Sequence, residues 1–373
     1  AIFSGNSFIK ADSVAITGSG GAVYLTSTGQ TGRIRISDNE FDRFSTAGSG
    51  GVFWIGFEGQ CNRLDILNNE FSGCVADSSG GAIFFRSSGL NVLNVAGQPG
   101  NNQLFTDCRA RFASGGSLYV LTQAQSIGEI NFNHNSFNSP GSAQNALSDG
   151  GAVYVKSAGS LVSHLNLSEN SVNENNMDIR AGGNGGAFYF NLMGNCTEVN
   201  LLNNSLSSCL AGRYGGAVYL RTGNIGRLTV EGETASPQVK DCHAANGGAY
   251  YFDLSGKCDT LDITSNNFMN CAADTTGGAI HFKSNGIGLL NISAQDGDQQ
   301  KFNNCQAASG YGGVMYFNSL SQGIGEIGIR NNQILSSLNE NNSGKDGGGF
   351  YFKSVGSDVA NIDIRNNTVG NSN

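Results

Sequence analysis

Gly80-Gly81-Ala82-Ile83-Phe84-Phe85 decides the fold, because its pattern returns along the whole chain. A glycine pair, a small residue and then large apolar ones recur at Gly20-Gly21-Ala22-Val23-Tyr24-Leu25 and at Gly185-Gly186-Ala187-Phe188-Tyr189-Phe190. The second glycine of each pair is Gly21, Gly51, Gly81, Gly116, Gly151, Gly186, Gly216, Gly248, Gly278, Gly313 and Gly348, at spacings of 30 to 35 residues. A fixed period in this range marks a repeat architecture in which each unit buries its apolar face against its neighbours.

Working outward, each glycine pair is followed by a second apolar alternation, as at Ile34 and Ile36, Leu64 and Ile66, or Ile362 and Ile364. Asparagine-rich turns come next, and then a single large apolar residue such as Phe41, Phe71, Phe105, Val172 or Ile334. Period-2 alternation between Gly and Asn turns predicts three short strands per unit and disfavours helix. The predicted fold is all-β: a single-chain parallel β-helix, or β-solenoid, over residues 1–373 with about 11–12 coils of 30–35 residues. Residues 61–176 align with 258–373 at a constant offset of 197, so a block of coils has been duplicated.

Composition narrows the function classes. The 373 residues include 55 Gly and only 3 Pro, with 13% charged and 39% hydrophobic. Such glycine enrichment without proline fits neither collagen nor a Pro/Gly-rich disordered segment. Net charge is −8 with scattered basic residues, which argues against nucleic acid as a partner. No apolar run is long enough to predict a membrane-spanning helix. The chain enters in strand phase at Ile2-Phe3 without a signal peptide or cap, as expected of an excised or head-to-tail stacking chain.

The literal Gly-Gly-Ala-Ile motif, at Gly80–Ile83 and Gly277–Ile280, resembles the repeat of the chlamydial polymorphic outer-membrane proteins. Their companion Phe-x-x-Asn motif occurs at Phe3–Asn6 and Phe132–Asn135, though Asn-x-Phe is the commoner order here. The resemblance implies a right-handed parallel β-helix with a surface-exposed, adhesive role.

Three sets of residues are candidates for function. Alternation from Val23 and Leu25, taken as inward, places Ala22 and Tyr24 outward. The Tyr24 position reads Tyr24, Trp54, Phe84, Tyr119, Tyr154, Tyr189, Tyr219, Tyr251, His281, Tyr316 and Tyr351, an aromatic ladder predicted to serve binding or assembly. Alternative readings of that ladder are sugar stacking and plain intramolecular stacking. Cys61–Cys74, Cys196–Cys209 and Cys258–Cys271 share a 13-residue separation, which predicts disulfides within coils and an oxidising compartment; a core column of thiols is the alternative. Asn166, Asn195, Asn203, Asn291, Asn341 and Asn366 begin glycosylation sequons.

The recurring Asn turns are expected to be structural, and no metal or other cofactor is expected. Asp65, Asp262 and Asp363 are expected to project outward as isolated carboxylates. The function expected from these features is a non-enzymatic, extracellular structural or adhesive solenoid at the cell surface. Its expected partners are further copies of itself, surface glycans or a host receptor. A glycan-binding shaft and a polysaccharide lyase or hydrolase are the alternatives.

Overall fold

The computed structural model describes residues 1–9, 16–139, 144–173, 178–235, 238–294, 298–336, 342–355 and 359–371. Among them every regular element is a β-strand, and every strand-to-strand pairing is parallel. Three long sheets run the length of the molecule, with 11, 12 and 12 strands. The 11-stranded doublet sheet begins at Val23–Ser27 and ends at Phe350–Ser354. The first 12-stranded sheet, the alternation sheet, runs from Ile2–Ser4 to Asn361–Arg365, and the asparagine sheet from Ser7–Ile9 to Thr368–Asn371. Two narrower sheets of three and five short strands, such as Val75–Ala76 and Cys209–Ala211, form a fourth wall before the glycine pairs. This wall was not expected from the sequence.

The glycine pair turns the chain from that wall into the doublet sheet, and its two members do so for different reasons. The first is left-handed at every coil, from Gly20 at φ 70° to Gly347 at φ 69°, a conformation costly for residues with a Cβ. The second approaches the adjacent coil: a Cβ on Gly81 would collide with the carbonyl oxygen of Gly116. Immediately after the pair, the amides of Ala82 and Ile83 both donate to the Ser117 carbonyl, at 2.9 and 3.0 Å. This breaks the alternation, so the expected outward direction of the small residue is corrected. Val52, Ala82, Ala152, Ala187 and Ala217 lie in the core.

Inside, identical positions rest on one another. Phe8, Phe41, Phe71, Phe105 and Phe137 stack with ring-centroid separations of 5.0 to 5.3 Å, within the range favourable for aromatic pairs. The turn into the asparagine sheet holds a buried amide ladder. Asn39 donates from Nδ2 to Asn69 Oδ1 at 2.9 Å, Asn69 to Gln103 Oε1 at 3.1 Å, and Gln103 to Asn135 Oδ1 at 3.0 Å. Asn135, Asn170 and Asn204 continue it, and it recurs from Asn266 through Gln300 and Asn332 to Asn367. Each asparagine donor also reaches a backbone carbonyl, as Asn170 does to Phe132 at 2.8 Å. Buried polar groups are thereby satisfied along the axis.

Candidate assembly face

The candidate face is the outer surface of the doublet sheet. Parallel, in-register pairing brings each residue opposite its equivalent in the next coil, as with Tyr24 and Trp54 or Tyr154 and Tyr189. All eleven ladder residues are therefore brought into one column. From Tyr24 to Tyr351 each ring overlies the next, with centroid separations of 4.4 to 5.9 Å. Most pairs are close to parallel: Tyr119 and Tyr154 lie at 3°, and only His281 and Tyr316 tilt to 34°.

Stacking covers the rings and alters the expected picture of an open aromatic stripe. Tyr24, at the first coil, is 60% exposed, whereas Tyr219 in the middle is 5% exposed. The ring faces are occupied by their neighbours, and Tyr214 adds a further ring 4.6 Å from Tyr251. In the central coils only ring edges and hydroxyls remain at the surface. A sugar could not stack on those faces without parting them. Burial pushes the Tyr119 and Tyr189 hydroxyls above their ordinary value, which keeps them as hydrogen-bond donors.

His281 replaces tyrosine in this column, between Tyr251 at 4.4 Å and Tyr316 at 4.7 Å. Its Nδ1 lies 2.7 Å from the Thr276 hydroxyl. Burial, aided by the charge of Lys283, lowers its pKa to about 3. The imidazole is thus neutral at physiological pH.

The alternation sheet carries the carboxylates. Asp65 is fully buried, which corrects the expectation of an isolated outward group: Arg63 at 2.7 Å and Arg33 at 2.5 Å clamp it. Burial acts to raise its pKa, but the hydrogen bonds from Arg63, Arg33 and Asn94 prevail and hold the carboxyl below its ordinary value. Asp262 pairs with Arg227 at 2.7 Å, and Asp363 with Arg330 and Arg365 at 2.6 Å each. These carboxylates belong to separate charge clamps.

The cysteine expectation is also corrected. Cys61, Cys74, Cys196, Cys209, Cys258 and Cys271, with Cys108, Cys242 and Cys305, are buried free thiols. A coil places Cys61 and Cys74 at opposite corners: Cys61 opens the alternation-sheet strand, and Cys74 precedes the fourth wall. Identical corners meet between coils instead. Cys74 neighbours Cys108, and Cys209, Cys242, Cys271 and Cys305 form a second thiol column. Cys74 also donates to the Ser72 carbonyl at 3.4 Å. Burial pushes the Cys61 thiol up to about 11 and Cys196 to about 12, far from a reactive thiolate.

Among the sequon residues, Asn195, Asn203 and Asn366 are exposed. Asn166 is half-buried in an outer amide row, donating to Asn131 at 2.8 Å and accepting from Asn200 at 3.0 Å. Asn291 is half-buried beside Asp262 at 3.4 Å, and Asn341 lies outside the described residues. Sequence reasoning missed Gln103 and Gln300 as members of the inner amide ladder. Their place, two residues before Phe105 and Phe302, is the signal that could have found them.

Comparison of the chain with protein-family models, with curated proteins and with solved structures found no match. The parallel solenoid is thus established by the geometry itself, and the likeness to the chlamydial repeat remains one of motif.

Proposed function

We propose that the chain is a non-enzymatic structural and adhesive shaft, displayed outside the cell and assembling into a filament. The observation that carries this reading is the coil-to-coil use of side chains. The aromatic column and the amide ladder each bind a residue to its equivalent in the next coil, and the thiol columns set equivalent residues side by side. Such a design lends stiffness along an axis, and the arginine clamps on Asp65, Asp262 and Asp363 add to it. At about 4.8 Å per coil, the solenoid forms a shaft roughly 55 Å long.

The end coils favour axial stacking. Phe8, in register with the core residue Phe41, is exposed on one end face, and Ile362, Ile364 and Val369 on the other. Each face offers strand edges that accept a further parallel coil, and in this proposal a second copy of the chain supplies it. The motif likeness to the chlamydial surface-protein repeat and the exposed sequons at Asn195 and Asn203 support an extracellular setting. Lateral contact through the aromatic column would engage ring edges and hydroxyls.

Negative-stain electron microscopy over a concentration series tests the assembly. Rods that lengthen with concentration are expected, and Ile362→Lys with Ile364→Lys should abolish the lengthening while circular dichroism stays β-rich. Single short rods at every concentration would overturn the filament.

A further inference from the structure

Beside the aromatic column runs a second outward row, two residues further along each strand of the doublet sheet. It is basic at Arg86, Lys156, Arg221, Lys283 and Lys353. The register makes these residues members of alternate coils. Arg86 pairs across Leu121 to Lys156, Lys156 across Asn191 to Arg221, Arg221 across Asp253 to Lys283, and Lys283 across Asn318 to Lys353. Five cations and one carboxylate occupy this stretch in a chain whose net charge is −8. Asp253 serves both Lys283, at 3.0 Å, and Arg221, at 3.8 Å. Arg86 lies 5.3 Å above the Trp54 ring and is exposed, as is Lys353; Lys156 is half-buried.

A second feature adjoins the cations. The ladder rings lean across the strand toward this row: a Cβ on Gly56 would collide with the Trp54 ring, and Asn191 donates to the Tyr189 hydroxyl at 3.4 Å. Tyrosine hydroxyls therefore border the cation row. The surface offers alternating positive charge along one edge and neutral donors along the other, on a straight track parallel to the axis.

Spacing selects the ligand. Alternate coils set the cations about 10 Å apart. A nucleic-acid strand carries a phosphate roughly every 3.4 Å of duplex axis, too dense for one-to-one pairing. An extended polysaccharide advances about one coil rise per sugar, so an anionic group on every second sugar meets a cation at every second coil. We propose that this stripe binds a linear acidic polysaccharide, laid along the solenoid, with a carboxylate or sulfate on alternate sugars. This deepens the adhesive reading above and rests on it only for display of the face outside the cell.

Biolayer interferometry of the full chain against hyaluronan, polygalacturonate, single-stranded DNA and neutral dextran tests the proposal. Hyaluronan, with one carboxylate per disaccharide, should bind best, and binding should weaken with salt. Arg86→Ser, Lys156→Ser and Lys353→Ser combined should weaken it by about tenfold or more with unchanged circular dichroism. Asp253→Asn, which removes the competing carboxylate, should strengthen it. Equal binding to DNA or dextran, no binding to hyaluronan, or indifference to these substitutions overturns the assignment. Filament growth in the same preparations is scored separately, so failure here leaves the assembly proposal standing.

Discussion

Gly81 and Gly348 hold the same place in the repeat, yet a side chain would meet different surroundings at the two. A Cβ on Gly81 runs into the Gly116 carbonyl and the backbone of Arg109; at Gly348 nothing lies within 4 Å. Backbone cannot yield as a flexible side chain can, so Gly81→Ala should destabilise the fold by on the order of 3 kcal/mol. Gly348→Ala should change stability by less than about 0.5 kcal/mol. Urea unfolding of the two variants checks the contrast, and equal effects would show that the close approach is not what the glycine serves. The glycine pairs were legible in the sequence because both demands act at one place in every coil. The direction of Ala22 and its equivalents was not, since two successive amides donating to one carbonyl, as those of Ala22 and Val23 do to Val52, break the alternation on which such a reading depends.

On the scale of the stacked element, the aromatic column shows what a single exchange does. His281 occupies a tyrosine slot, and burial holds it neutral with a pKa of about 3, against an ordinary value of 6.5. The unfolded chain therefore binds the proton more readily between these values. Stability contributed by the neutral ring is fully present above pH 6.5, declines as pH falls toward 3, and is constant below that. Replacing His281 with Tyr should remove this slope while keeping the stack. Denaturant midpoints at neutral pH and near pH 4.5 measure it, and an undiminished acid loss in the variant would assign the slope elsewhere. The composition of the column could be read from the sequence, since one residue recurs per coil. Its coverage could not, because an outward strand position counts as exposed until the ring above and below is placed on it. The cysteines repeat the lesson: the shared 13-residue spacing within coils suggested pairing, but spatial neighbours in a solenoid lie one coil apart, as Cys74 and Cys108 do.

For the molecule as a whole, length is modular. Every coil returns to the same register whether it holds 30 or 35 residues. Excising a full unit, residues 51–80, should leave a shorter solenoid with β-rich circular dichroism and a cooperative transition. Removing half a unit, residues 51–65, should disrupt it, because the strands would then face the wrong walls. Thermal melts followed by circular dichroism separate the two outcomes. The duplication of residues 61–176 in 258–373 is consistent with this tolerance, because a whole block was added without a change of phase.

The want of room for a Cβ at the second glycine also gives the stack a direction. Carbonyl oxygens of one coil point at the glycine of the coil before it, as Gly51 does toward Gly21. A joint of this kind reads differently from its two sides, so the coils stacked through it all share one polarity from root to tip.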